Sequence, residues 1–216
     1  MLGIFDTGSG GIDIDRRLRA KKFKTHLLLD DSFTGNDSKN IVKKKTKEAI
    51  KYFEKKGIKI IVIACHTAIS SIYDEVETKT FPRSFIKKFI MKKDLLIFEP
   101  IIPTCDYILR KNMKDVTILC TALTKKMRIH EKYLGFKCNY ISFKNLAEDI
   151  DKKRPINIEK LFKNRKISGC VVLACTHYSF IEDKIRSFLT KSGFRGVLLN
   201  PNKILVGHIL TFSVRR

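Results

Sequence analysis

Lys59 to Ala68 reads KIIVIACHTA, and Cys170 to Ser179 reads CVVLACTHYS. Each segment opens on a nearly continuous apolar run, reaches Ala-Cys, and leaves through a short Thr/His turn. A run without alternation is the pattern of a parallel strand buried on both faces. Further strands are expected at Leu2–Phe5, Thr25–Leu29, Leu95–Phe98, Val116–Leu119, Asn139–Phe143 and Gly196–Leu199. Helical patterns fall between them. The clearest is Ile41–Lys56, where Ile41, Val42, Ala49, Ile50 and Phe53 recur among lysines. Gly57 supplies its stop signal. Lys79–Lys93 is basic and reads as an irregular surface insertion or crossover. Strand–helix alternation of this kind predicts an α/β fold with parallel sheets.

The two Ala-Cys units give the chain an internal symmetry. The expectation is two pseudo-symmetric lobes with parallel-type sheets flanked by helices and an active-site cleft between them. Residues 1–95 form the first lobe and 96–204 the second, with the tail 205–216 packing back on the first. Ligand sites in parallel α/β sheets lie at the carboxyl ends of strands. Cys65, Cys175 and Asp6 all fall at such ends, so the symmetry predicts one cysteine on each side of the cleft.

Composition narrows the classes. The 216 residues are 44% hydrophobic, which is enough for a sizeable core. No stretch of 18 or more apolar residues suggests a membrane span. The N-terminus lacks a basic, apolar and cleavable leader pattern, so the chain is expected in the cytoplasm. In that reducing setting the six cysteines are expected to be free thiols. No Cys-x-x-Cys pair points to a structural zinc site. The formal charge of +22 favours anionic partners. It comes mainly from dispersed lysines rather than clustered arginine forks, so a nucleic-acid partner is disfavoured. Lysine runs such as Lys43-Lys44-Lys45 read as solvated helix faces.

The stretch Ile4–Gly11, IFDTGSGG, is open to three chemistries. Asp-Thr-Gly-Ser is a local signature of aspartic proteases, but those are all-β and the alternation here is not. A phosphate loop would require Gly-Lys-Ser/Thr or the spaced G-x-G-x-x-G, and both are missing. The third is a carboxylate at a strand end serving as an acid/base group.

Two opposed thiols suit one reaction class well. Racemisation removes a proton from one face of a carbon and returns one to the other. Two matched groups, one ionised and one protonated, achieve this together. A thiol titrates near 8.5 and needs little tuning. Helix N-termini after each cysteine are expected to favour the anion.

At these residues the chain resembles the aspartate/glutamate racemase family, and within it the glutamate racemases most. The family's F-D-S-G-x-G-G corresponds to Phe5–Gly11, its I-A-C-N-T-A to Ile63–Ala68, and its L-G-C-T-H-Y-P to Leu173–Ser179. Weaker echoes are Glu99-Pro100, Thr121 with Thr124, and Leu199-Asn200-Pro201 where the family has I-D-P. The resemblance spans residues 2 to 206 in order. It implies a cofactor-independent enzyme interconverting L- and D-glutamate and supplying D-glutamate for peptidoglycan. It also implies Cys65 and Cys175 as the acid/base thiols, with Asp6 assisting the first and His177 the second. Glu148 is implied as the carboxylate near Cys175, with Asp151 one turn later as its substitute. Thr7, His66, Thr67, Thr176, Gly35 and Asn36 are implied as substrate-binding residues.

The chain departs from the family pattern in three places. Gly35-Asn36-Asp37 stands where the family has P-Y-G, His66 replaces an asparagine, and fewer residues follow the I-D-P position. The alternatives carried forward are a racemase of aspartate or another acid, and a catalytically impaired basic module that binds protein or nucleic acid. A small acidic amino acid is the expected partner, without cofactor, metal or membrane, and a homodimer stands as the assembly to test.

Overall fold

The computed structural model describes residues 1–81, 84–89, 95–167 and 169–213, with side chains described outside 76–89. Among the described residues, ten strands fall into two sheets. The first sheet contains β1 (Leu2–Asp6), β2 (Thr25–Leu29), β3 (Ile60–Ile63), β4 (Val76–Phe81), β5 (Ser84–Phe89) and β6 (Leu96–Phe98). Its order is β2-β1-β3-β6-β5-β4. The second contains β7 (Val116–Cys120), β8 (Asn139–Ser142), β9 (Cys170–Ala174) and β10 (Val197–Leu199), in the order β10-β9-β7-β8. All pairings of the second sheet are parallel, as are those among β2, β1, β3 and β6. The expected two-lobed α/β architecture is therefore present.

The central strands explain themselves. β1, β7 and β9 are buried along their whole length, and β3 along all but its first residue. Helices cover both faces of such strands, so the sequence has no polar side to show. The helices are α1 (Gly11–Ala20), α2 (Lys39–Lys55), α3 (His66–Ser71), α4 (Ile101–Arg110), α5 (Ala122–Met127), α6 (Ile129–Leu134), α7 (Leu146–Asp151), α8 (Ile158–Phe162), α9 (Glu182–Lys191) and α10 (Pro201–Ser213). α2 turns Val42, Ala49, Ile50 and Phe53 inward and its lysines outward, and Ser38 caps its first turn through the Ile41 amide.

Lys79–Lys93 corrects the sequence reading in part. β4 and β5 form an antiparallel pair, and β5 pairs antiparallel with β6, so an extended hairpin stands where irregular chain was expected. The lysines hid it. Val76, Thr78, Thr80, Phe85 and Ile86 are β-branched or aromatic and suit strands. Residues 82–83 and 90–93 of that stretch lie outside the described residues. α3 ends at Ser71, a 3-10 turn covers Tyr73–Glu75, and β4 follows.

One core runs through both lobes. Phe5, Ile63 and Ile69 belong to the same apolar cluster as Ile118, Val172 and Ala174. β6 pairs with β3, so the first sheet continues past residue 95 to Phe98. α10 then returns to the first sheet, where Leu205, Val206 and Ile209 join Leu2, Ile4, Ile14, Leu18 and Val62. Each such buried side chain contributes about 1.5–3 kcal/mol. This return places the Asn202 amide 3.1 Å from the Asp13 carboxylate, to which it donates.

Candidate active site

β1, β3 and β9 end at Asp6, just before Ala64-Cys65, and just before Cys175. Their carboxyl ends meet a cavity of about 500 Å³ between the lobes. It is lined by Cys65, His66, Thr67 and Thr7 from the first lobe and by Cys175, Thr176, His177 and Glu148 from the second. Gly35 and Asn36 close one side. Of the eleven expected site residues, all but Asp6 line the cavity, and Asp6 lies fully buried behind it.

The two thiols have different surroundings. Cys65 caps α3, its sulfur 3.4 Å from the Ala68 amide and 3.3 Å from the Thr7 hydroxyl. Burial pushes the Cys65 thiol up to about 12, and the neighbouring Asp6 charge adds to the rise. These outweigh the helix N-terminus, so Cys65 rests as a thiol. Cys175 precedes no α-helix. A 3-10 turn, Thr176–Ile181, follows it without a side-chain cap, which corrects the expectation of a matched helix N-terminus. Its partner is a side chain instead: His177 Nδ1 lies 3.7 Å from the Cys175 sulfur.

His177 is held from its other side. Its Nε2 is 2.9 Å from the Asp151 carboxylate. Burial works against a charged imidazole here. The hydrogen bonds to Asp151 and Cys175 outweigh it and raise His177 to about 11. Near neutrality the ring is therefore an imidazolium. The carboxylate that reaches His177 is Asp151 and not Glu148. Glu148 lies one helical turn earlier on α7, where it faces Lys152 at 2.7 Å and Arg154 at 3.5 Å. Both acids line the cavity, but only the last residue of α7 extends over the imidazole.

Other expected residues hold the lobes together. The Thr67 hydroxyl lies 2.9 Å from that of Thr121 and 3.1 Å from that of Thr124, across from the second lobe. The Asn36 amide donates to the Lys144 carbonyl at 2.6 Å, and Gly35 accepts from the Leu123 amide at 3.0 Å. The loop standing at the P-Y-G position is thus a strap across the cavity. His66 is buried and stacked on His130, with ring centroids 5.8 Å apart. Burial and the neighbouring imidazole keep it neutral.

The glycines of IFDTGSGG are required by space. A Cβ at Gly8 would stand 2.7 Å from His177 Nε2 and 3.0 Å from Asp151 Oδ2. A Cβ at Gly10 would collide with the Thr176 side chain and stand 2.8 Å from the His177 amide nitrogen. The loop therefore lies directly on the Thr176-His177 turn of the other lobe.

Sequence reasoning did not assign a role to Ser9, although its hydroxyl donates to Asp151. Thr121 was seen only as an echo of a family pattern, yet it lines the cavity. Lys144 and Lys152 also line it, Lys152 paired with Glu148 at 2.7 Å. Among the described residues, no group of three or more His, Cys, Asp or Glu side chains could hold a metal ion. No described helix is long and apolar enough to cross a membrane.

Asp6 is a carboxylate buried against its charge. Burial raises it from 3.8 to about 6 even though His177, Thr176 and the Thr7 amide favour its charge. The folded state therefore binds this proton more tightly than the unfolded chain does. Stability falls as pH rises from about 4 to 6, and the full cost persists above that. Asp6→Asn is expected to raise the stability at pH 8 by about 1–3 kcal/mol. The gain should nearly vanish at pH 4, and thermal melts at the two pH values check it.

No protein-family model matches the chain. In sequence it is similar to the glutamate racemase of Bifidobacterium adolescentis, 26% identical over 228 residues that cover 96% of this chain and 82% of that protein. In structure it superposes on a glutamate racemase isoform from Bacillus anthracis with a TM-score of 0.79 at 16% identity, covering all of this chain and 82% of that one. It also matches the aspartate racemase of Picrophilus torridus, with a TM-score of 0.64 at 15% identity, covering 99% and 94%. The chain thus resembles the glutamate racemases in sequence over nearly its whole length and shares the racemase fold.

Proposed function

We propose that this chain, similar in sequence and fold to the glutamate racemases, is a cofactor-independent amino-acid racemase that interconverts L- and D-glutamate. The observation that carries the reading is the pair of thiols on one cavity, each at a strand end of a different lobe and each backed by its own acid/base group. Cys65 rests as a thiol and can donate a proton. The His177 imidazolium, itself paired with Asp151, faces the Cys175 sulfur at 3.7 Å.

With one enantiomer bound, the Cys175 thiolate takes the α-proton. The Cα–H bond breaks and an S–H bond forms. The Cys65 thiol delivers its proton to the opposite face of the same carbon, so its S–H bond breaks and a new Cα–H bond forms. The two sulfurs have then exchanged protonation states, and the other enantiomer uses the same steps in reverse. Asp6, close enough to Cys65 to affect its charge, accepts or returns the proton on that side. The hydroxyls of Thr7, Thr67 and Thr176 and the lysines at the cavity mouth orient the substrate's polar groups. Positioning of this kind is worth up to roughly 7–11 kcal/mol.

The product, D-glutamate, would serve peptidoglycan synthesis in the cytoplasm. The test is loss of optical rotation from L- and D-glutamate and from L- and D-aspartate, each with purified protein and no added cofactor. Racemisation of both glutamate enantiomers is expected. Turnover of aspartate alone would move the assignment to the second acid of the family. Folded protein that racemises none of the four would contradict the reading.

A further inference from the structure

The Asp151 carboxylate is shared between the lobes in a way that the two-thiol chemistry does not by itself require. One oxygen accepts from His177 Nε2 at 2.9 Å. The other accepts the hydroxyl of Ser9, a residue 142 positions away in the loop between β1 and α1. The Ser9 backbone amide bonds the same carboxylate. Gly8, just before it, has no room for a Cβ against either His177 or Asp151. The first-lobe loop is therefore seated on the His177–Asp151 pair of the second lobe.

We propose that Ser9 is a positioning residue for the racemisation: it fixes the Asp151 carboxylate in the plane of His177, so that the acid/base pair behind Cys175 is complete only while the lobes are closed. Asp151 is the last residue of a short helix and is only partly covered. Without the Ser9 hydroxyl the carboxylate keeps the His177 ring and the Ser9 backbone amide as partners, and one of its oxygens loses a side-chain donor. With Ser9 it has donors from both lobes, and opening the cleft would remove two of them together. The groups facing the pair are Asp6 from the end of β1 and Cys175 from the end of β9. Glu148 and Lys152 on α7 face each other. Among the described residues, Ser9 is thus the neutral hydroxyl bonded to Asp151.

This inference rests on the racemase reading for its kinetic consequence but not for its structural one. Ser9→Ala, Ser9→Thr, Asp151→Asn and the Ser9→Ala/Asp151→Asn double variant would be compared with the parent chain. Ring-labelled histidine NMR would follow the His177 imidazole, identified by its loss in His177→Asn. In Ser9→Ala the His177 Nε2 proton is expected to exchange faster with water and the ring to titrate at lower pH. kcat for glutamate should fall about tenfold with KM nearly unchanged. Ser9→Thr, which keeps the hydroxyl, should restore both readouts. The double variant should be no worse than Asp151→Asn alone, because both changes remove one interaction. A His177 signal and kcat that match the parent in Ser9→Ala would overturn the proposal, as would equal losses in Ser9→Ala and Ser9→Thr. If the His177 signal responds while no variant, parent included, racemises glutamate, the positioning role stands and the substrate assignment fails.

Discussion

Cys65→Ala and Cys175→Ala are each expected to lower kcat/KM for racemisation by about 10³-fold or more, since under the proposed mechanism each removes one of two proton carriers. The loss in the double variant should be little greater than in either single one, because residues acting as a unit are not additive. Exchange should separate the two thiols where racemisation does not. In Cys65→Ala the remaining Cys175 can still remove and return a proton on its own face. It should wash deuterium from solvent into one enantiomer without inverting it. Cys175→Ala should do the same for the opposite enantiomer. NMR of the α-proton in D2O measures both. The prediction follows from the placement of the sulfurs on one cavity from two lobes. Two buried thiols with no role in proton transfer would leave both exchange patterns unchanged.

Gly10→Ala is expected to have the second largest effect, although it adds a single methyl group. The backbone at Gly10 is helical, with φ −55°, so any residue could adopt its conformation. The obstacle is the Thr176 side chain and the His177 amide on the far lobe. Neither is the end of a flexible chain, so the loop itself must move. The cleft should be wedged open at the point where Thr7, Thr176 and His177 converge. A shift of about 1 Å at reacting groups can cost roughly 10²-fold in rate, and overpacking should cost about 1–3 kcal/mol of stability. Steady-state kinetics and a thermal melt on the same preparation check the two parts. A variant that melts lower but keeps its kcat/KM would show that the loop supports the fold without contributing to the site.

The parts of this arrangement that were legible in sequence are those set by local physics. The apolar runs at β3 and β9 announce buried parallel strands because such strands have no exposed face. Once those strands are placed, Asp6, Cys65 and Cys175 follow to their carboxyl ends, and the glycines mark where the loop must approach its neighbours closely. The less legible parts depend on reach or on distance along the chain. Glu148 and Asp151 are both acidic, three residues apart on one short helix, and composition does not say which one extends over His177. The Ser9–Asp151 bond joins residues with no local signal to connect them. The straps through Asn36 and Thr67 are likewise long-range. The β4–β5 hairpin was missed because lysines broke the alternation that usually marks a half-buried strand. The α5–α6 break at Arg128 sits at φ 49°, a left-handed position without the glycine that would have advertised it.

The central claim is that two thiols act from opposite faces of one carbon. Its most direct test is the distribution of solvent deuterium at low conversion. L-Glutamate would be incubated with the wild-type chain in D2O, and both enantiomers isolated before about a tenth has turned over. The two-thiol account predicts deuterium at the α-carbon of the D-glutamate formed, while the recovered L-glutamate remains protiated. A single group working on both faces would carry the original proton across or label both enantiomers alike. That result would contradict the account.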